Sequence, residues 1–229
     1  KKVEIEQNSP DIIDIVENLT IPVTVLRCDY SKASHMQYLF QIFYRLNSGG
    51  NKLYNQEIRN CIFQGNFNTL LKDLARSPDW LNANHLTKEK VETSRFNNEE
   101  RILRFFAFYY ELERYKGKLA SFLNDFMRNH KDLTENEKNE YVSLLSRSLK
   151  VAMEIEKLST SKNVFEAVLI GIAANIGALE TKGVDVINKL YKDVEGDENF
   201  SEEALKEGLG SLEKVQKRIN AAKIIFARG

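Results

Sequence analysis

The hydrophobic pattern along the chain is helical almost throughout. Residues 11–19, "DIIDIVENL", place Ile12, Ile15, Val16 and Leu19 at helical spacing behind Pro10. The next stretch, "TIPVTVLRCDY", is short and β-branched and predicts a strand, with Pro22 marking its start or an edge. No second segment reads as clearly as a strand, so any pairing partners are expected from sequence outside this chain. "HMQYLFQIFYRL" (35–46) then puts Met36, Leu39, Phe40, Phe43 and Leu46 on one stripe, and Gly49 and Gly50 stop that helix. Asn55 is positioned to cap the following helix, with Glu57 in its first turn and Ile58, Cys61 and Ile62 inward; Gly65 ends it. "NTLLKDLARS" predicts a further short helix closed before Pro78, and "HLTKEKVETSR" a polar connection or short exposed helix.

From Asn97 onward there is neither proline nor a strand signal. Asn97 and Glu100 stand close to a capping-box spacing, and "RILRFFAFYYELERY" behind them is apolar nearly all round, which predicts a central helix. "LASFLNDFM" continues in helical register. "TENE" (134–137) is a capping box opening a long amphipathic helix with Tyr141, Leu144, Leu145, Leu149, Ala152 and Ile155 on its apolar face. "NVFEAVLIGIAANIGAL" reads as a buried helix whose small residues permit close packing, and "GVDVINKLYKDV" and a last helix near "LEKVQKRINAAKIIFA" complete the set, with "SEEALKEGL" between them. The expectation is a mainly α chain in two parts, 1–95 and an all-helical bundle over 96–229.

Composition changes this picture little. The chain has 229 residues, 42% apolar and 29% charged, with 33 Lys plus Arg against 33 Asp plus Glu. That balance argues against a body that coats nucleic acid non-specifically, while leaving room for a local basic site. No apolar run approaches the roughly 20 residues that cross a bilayer, and no basic-then-apolar leader opens the chain, so no membrane partner and a cytoplasmic location are expected. Cys28 and Cys61 are expected as buried free thiols. His35, His85 and His130 are isolated, and no metal-ligand spacing is present. The first residue is Lys rather than Met, which suggests a piece of a longer protein.

Candidate chemistry concentrates in "FYRLNSGGNKLYNQEIRN" (43–60). Arg45 and Asn47 precede a Gly-Gly turn; Gln56, Glu57, Arg59 and Asn60 follow it. Guanidinium forks and amides suit phosphate or carboxylate, and two glycines let backbone N–H groups approach a ligand. The pattern is not a P-loop, which needs Lys-Ser/Thr after a longer glycine loop. The competing reading is an internal clamp in which Glu57 pairs with Arg45 or Arg59. Arg104 is a second oddity, a charge on a helix with little polar face. It either bridges to a neighbouring helix or reaches the same site and contacts phosphate. Trp80, in "SPDWLNAN", reads as a fairly exposed packing lid. No nucleophile elbow, paired-histidine motif or calcium loop is present.

The run "IFYRLNSGGNKLYNQEIRNCIFQGNFNTLLKDLA" resembles the N-terminal domain of GmrSD-type restriction endonucleases, also called domain of unknown function 262. Arg45, Asn47, Gly49, Gly50, Leu53, Gln56, Glu57, Ile58, Arg59 and Asn60 carry the likeness. "ERILRFFAFYYELERYKGKLASFLNDFM" resembles the helical part that follows in that family, on Arg104, Phe122, Leu123 and Asn124. The resemblance implies the remnant of a small ParB- or sulfiredoxin-like α/β core followed by a helical bundle. It implies bacterial defence against foreign DNA, with hydrolysis of a nucleoside triphosphate, aided by a divalent metal in the complete protein, coupled to DNA cleavage. By this likeness Glu57 takes a catalytic role and Arg45, Asn47, Gln56, Arg59, Asn60 and Arg104 bind nucleotide phosphates, with no metal held in this chain. The family's Asp-Gly-Gln-Gln-Arg motif and its His-Asn-His nuclease domain are not in this sequence. An inactive fragment that meets its missing N-terminal segment, or another domain of the same protein, is therefore expected. The alternative is a non-catalytic helical assembly module.

Overall fold

The computed structural model describes residues 14, 17–20, 23, 25, 27–29, 32–46 and 53–229. It is mainly helical, and no strand occurs among the described residues. The expected helix over 11–19 falls mostly outside them, with Asp14 and Glu17 helical. Of the expected strand, Thr20, Val23, Val25, Arg27, Cys28 and Asp29 are described, and none is extended into a ladder. By contact the chain divides into residues 1–43 and 44–229. The boundary anticipated at 95–96 thus lies inside the second unit.

In the first unit, α1 (Ala33–Leu46) begins where Lys32 and Asp29 shape a turn, and the Asp29 N–H donates to His35 Nδ1 at 3.2 Å. Its residues from Tyr44 on belong to the second unit.

The second unit continues with α2 (Asn55–Ile62), α3 (Asn66–Ala75), α4 (Pro78–Ala83), α5 (Lys88–Glu92), α6 (Asn97–Glu111), α7 (Leu119–Asn129), α8 (Glu135–Ala152), α9 (Lys162–Ala174), α10 (Ile176–Leu179), α11 (Val184–Gly196) and α12 (Leu212–Phe226). Local signals explain several boundaries. At α8, Thr134 Oγ1 accepts from Glu137 N–H at 3.3 Å, and Glu137 Oε2 accepts from Thr134 N–H at 2.7 Å, closing the expected box. Ser77 caps α4 by accepting from Trp80 N–H, with Pro78 as the first helical residue. Two expected caps move by one position. Tyr54, not Asn55, precedes α2, because Glu57 reaches back to the Tyr54 N–H at 2.6 Å. Phe96, not Asn97, precedes α6, because Arg95 and Phe96 turn the chain with φ of 51° and 62°.

The core of this unit forms around α9, buried continuously from Val164 to Ala173 and packed by α6, α8 and α12. Gly171 permits the α12 crossing: a Cβ there would stand 2.8 Å from the Ala222 carbonyl carbon. Asn175 breaks the run expected as one helix, and its Nδ2 donates to Gly171 O and Lys223 O at 2.9 and 3.0 Å. A second cluster seats Phe67 edge-on to Phe126 and Tyr141, at 5.9 and 5.6 Å between ring centres. Trp80, expected as a fairly exposed lid, is instead 1% exposed. Its Nε1–H donates to Asn98 Oδ1 at 3.2 Å, which removes the penalty of burying an indole N–H. Cys61 corrects a second expectation: it is exposed, Cys28 is half-buried, and both are free.

Candidate functional site

The helix α2 turns Gln56 and Arg59 onto one buried face, and Arg59 is 1% exposed. Such a charge must find acceptors inside the protein. Arg59 Nε donates to Gln56 Oε1 at 2.8 Å, Nη1 to Asn124 Oδ1 at 3.3 Å, and Nη2 to the Glu100 carboxylate. Burial pushes the Arg59 pKa down, and Glu100 offsets part of that. Gln56 Nε2 donates in turn to Asn60 Oδ1 at 3.0 Å, and Asn68 Nδ2 donates to the Asn60 carbonyl at 3.3 Å. One polar network therefore ties α2 to α3, α6 and α7. Removing one partner of such a buried pair costs about 3–5 kcal/mol, so this part of the motif holds position.

Glu57 faces the other way. Its two oxygens accept from Arg95 Nε at 3.0 Å and Nη2 at 2.7 Å, a two-pronged pair, while Oε2 also accepts from Tyr54 N–H. Burial alone would raise the Glu57 carboxyl; the Arg95 and Tyr54 hydrogen bonds outweigh it and hold it below the usual carboxylate range. Arg95 also lies over the Tyr54 ring, 4.2 Å from its centre. Arg45 sits exposed in the last turn of α1. Asn47, Gly49 and Gly50 lie outside the described residues.

Arg104 is bound to α9. Its Nε and Nη2 donate to the two Glu166 oxygens at 2.5 and 2.8 Å, and Nη2 also reaches Asn163 Oδ1 at 3.4 Å. Burial works against its charge, but Glu166, with Glu100 beyond it, raises its pKa overall. Sequence reasoning named Arg104 as either a bridge between helices or a phosphate contact, and the geometry is that of the bridge. It missed Glu100 and Glu166, whose partners are 41 and 62 residues away. It also missed Arg218 on α12, buried to 1% exposure with Nη2 donating to Leu209 O at 3.3 Å.

The open part of the site is a cleft of about 420 Å³ bounded by Tyr54, Gln56, Arg95, Asn97, Glu100 and Lys162. The N-termini of α2, α6 and α9 all reach it, at Asn55, Asn97 and Lys162. Neither α6 nor α9 has a side-chain cap there, although the Asn97 N–H at the start of α6 donates to Ser94 O at 3.2 Å. Lys162 Nζ donates to Asn97 Oδ1 at 3.2 Å, which holds an ammonium at the mouth. Three positive helix ends with Arg95 and Lys162 favour an anion, and Glu100 restrains the total charge. Among the described residues no group of three or more His, Cys, Asp or Glu side chains is placed to hold a metal ion. No helix among them is long and apolar enough to cross a membrane. No protein-family model matches this chain, and neither a curated protein nor a solved structure is significantly similar to it.

Proposed function

We propose that this chain is the helical part of a bacterial restriction or phage-defence protein, acting in the cytoplasm, and that its cleft forms one wall of a nucleoside triphosphate site. In this reading residues 1–95 include the remnant of a ParB- or sulfiredoxin-like core. Hydrolysis, its divalent metal and DNA cleavage belong to other parts of the protein. The observation that carries the reading is the meeting of three helix N-termini with Arg95 and Lys162 in one cleft beside the Gln-Glu-Ile-Arg-Asn segment. Gln56 lines the cleft, and in this reading Arg45 and Asn47 contribute to the same phosphate site. Glu57 serves as a positioning residue that aims Arg95, while Arg59, Asn60 and Arg104 hold the wall rigid.

Calorimetric titration of the chain with ATP and GTP, with and without magnesium, tests this. Saturable binding is expected without phosphate release. Arg95→Ala and Lys162→Ala should each weaken it about 10-fold or more, the scale of one charged hydrogen bond. Glu57→Gln should weaken binding less than Arg95→Ala does, with an added salt dependence. No binding, or binding indifferent to both cation substitutions, overturns the proposal. A second reading, an assembly module without chemistry, is favoured by the complete internal use of Arg59 and of both Glu57 oxygens. Vigorous phosphate release by this chain would contradict both.

A further inference from the structure

Arg101 lies one turn before Arg104 on α6, and its guanidinium is treated quite differently. Its guanidinium carbon lies 5.1 Å from the centres of both the Trp80 and Phe165 rings, which pack edge to face with each other. It makes neither a hydrogen bond nor an ion pair among the described residues, and Glu166, the carboxylate whose charge acts on it, is held by Arg104. Burial pushes its pKa down, Glu166 restores some of it, and Arg104 adds repulsion. Arg101 is half-buried and none of its nitrogens is a buried orphan, so its N–H groups reach the surface and can take an acceptor from outside the chain.

The acceptor has room. Arg101 lines a recess of about 310 Å³ between the 82–85 turn and the 152–160 linker, separate from the cleft at Tyr54 and Lys162. Trp80 and Phe165 stand nearly perpendicular, their centres 6.1 Å apart, so both rings meet the guanidinium from one side and do not enclose its N–H groups. One wall is apolar, from Ala152, Met153, Ile155 and Leu158; the other carries the amides of Asn82 and Asn84. Glu156 and Lys157 stand exposed at the recess and offset each other. The net demand is for one negative charge on a carbon body. A phosphate dianion would need a second committed cation, whereas a carboxylate matches the fork with one. The volume is at the lower end for small-molecule sites.

We propose that this recess binds a small carboxylic acid, its carboxylate on the Arg101 edge and its hydrocarbon body against the 152–158 wall. Trp80 is the sole tryptophan of the chain and touches Arg101, so its fluorescence reports occupancy. The full chain is titrated with hexanoate, with hexanamide and with inorganic phosphate. Hexanoate should give a saturable change, and hexanamide should bind at least 10-fold more weakly. Arg101→Met should reduce hexanoate affinity at least 10-fold. Met153→Glu, at a position 40% exposed and tolerant of charge, should weaken it about 5-fold by repulsion, and it decides the matter if Arg101→Met does not fold. No saturation with hexanoate, an equal response to hexanamide, phosphate binding as tight as hexanoate, or an unchanged affinity in the folded variants each overturns the proposal.

Discussion

Glu99 shows how one side chain can carry a pH dependence. It is 2% exposed in the first turn of α6, and its Oε2 has no hydrogen-bond partner. Burial raises its pKa; its own backbone N–H and the charges of Arg76 and Lys72 recover only part. The folded state therefore binds this proton more tightly than the unfolded chain. Stability from the group is complete below the ordinary carboxylate range and is lost as pH rises through the folded pKa. Glu99→Gln keeps the shape and removes the ionisation. It should melt about 2–4 °C above the parent at pH 8, the shift expected for roughly 1 kcal/mol in a domain of this size, and level with it near pH 4. Circular-dichroism melts across that range check this; a constant difference at every pH would assign the effect to something other than titration. Neighbouring Glu100 accepts from Arg59 and lines the cleft. The sequence printed the two glutamates side by side with nothing to tell them apart. Their fates are set by contacts 41 residues away for Glu100 and by packing for Glu99.

At the scale of elements, legibility follows the range of the interaction. The Thr134 box was readable because donor and acceptor lie within four residues. The Ser77-Pro78 start of α4 was equally local, and the same reading applied to it would have found the helix. The caps at Asn55 and Asn97 were displaced because competing groups, Glu57 in one case and a left-handed Arg95–Phe96 turn in the other, set the chain's entry. The burial of Trp80 is not legible locally because Asn98, which satisfies its N–H, sits on another helix. The small residues of α9 were read correctly as allowing close packing, and that permits a sharp prediction. Gly171→Ala adds helix propensity worth up to about 1 kcal/mol, but its Cβ would press on the backbone of Ala222, which cannot swing aside. The clash should win, for a net loss of about 1–3 kcal/mol in urea unfolding. Gly177→Ala in α10 meets nothing within 4 Å and should be neutral or slightly stabilising. Equal effects at the two sites would mean that α9 and α12 do not cross as closely as described.

Within the unit of residues 44–229, the candidate cleft and the hydrophobic core are built from different materials. The α2 wall is held by a polar network through Arg59, Gln56, Glu100 and Asn124, whereas α9 is wrapped in apolar side chains from Val164 to Ala173. Polar networks near solvent open at lower free energy than apolar centres, because water can replace their hydrogen bonds during a local opening. Hydrogen exchange on the intact chain should therefore resolve three levels. Amides of α9 between Ala167 and Ala173 should exchange slowest, at the rate of global unfolding. Those of α2 should exchange faster, and those of α5, whose one buried residue is Val91, fastest. Arg59→Lys keeps a charge but loses the planar fork that reaches three acceptors at once. It should accelerate α2 while leaving α9 protection, relative to global stability, unchanged. If α2 and α9 exchanged together in the parent and shifted together in the variant, wall and core would be one cooperative block. The cleft would then be a rigid face of the core rather than a wall able to adjust to what docks against it.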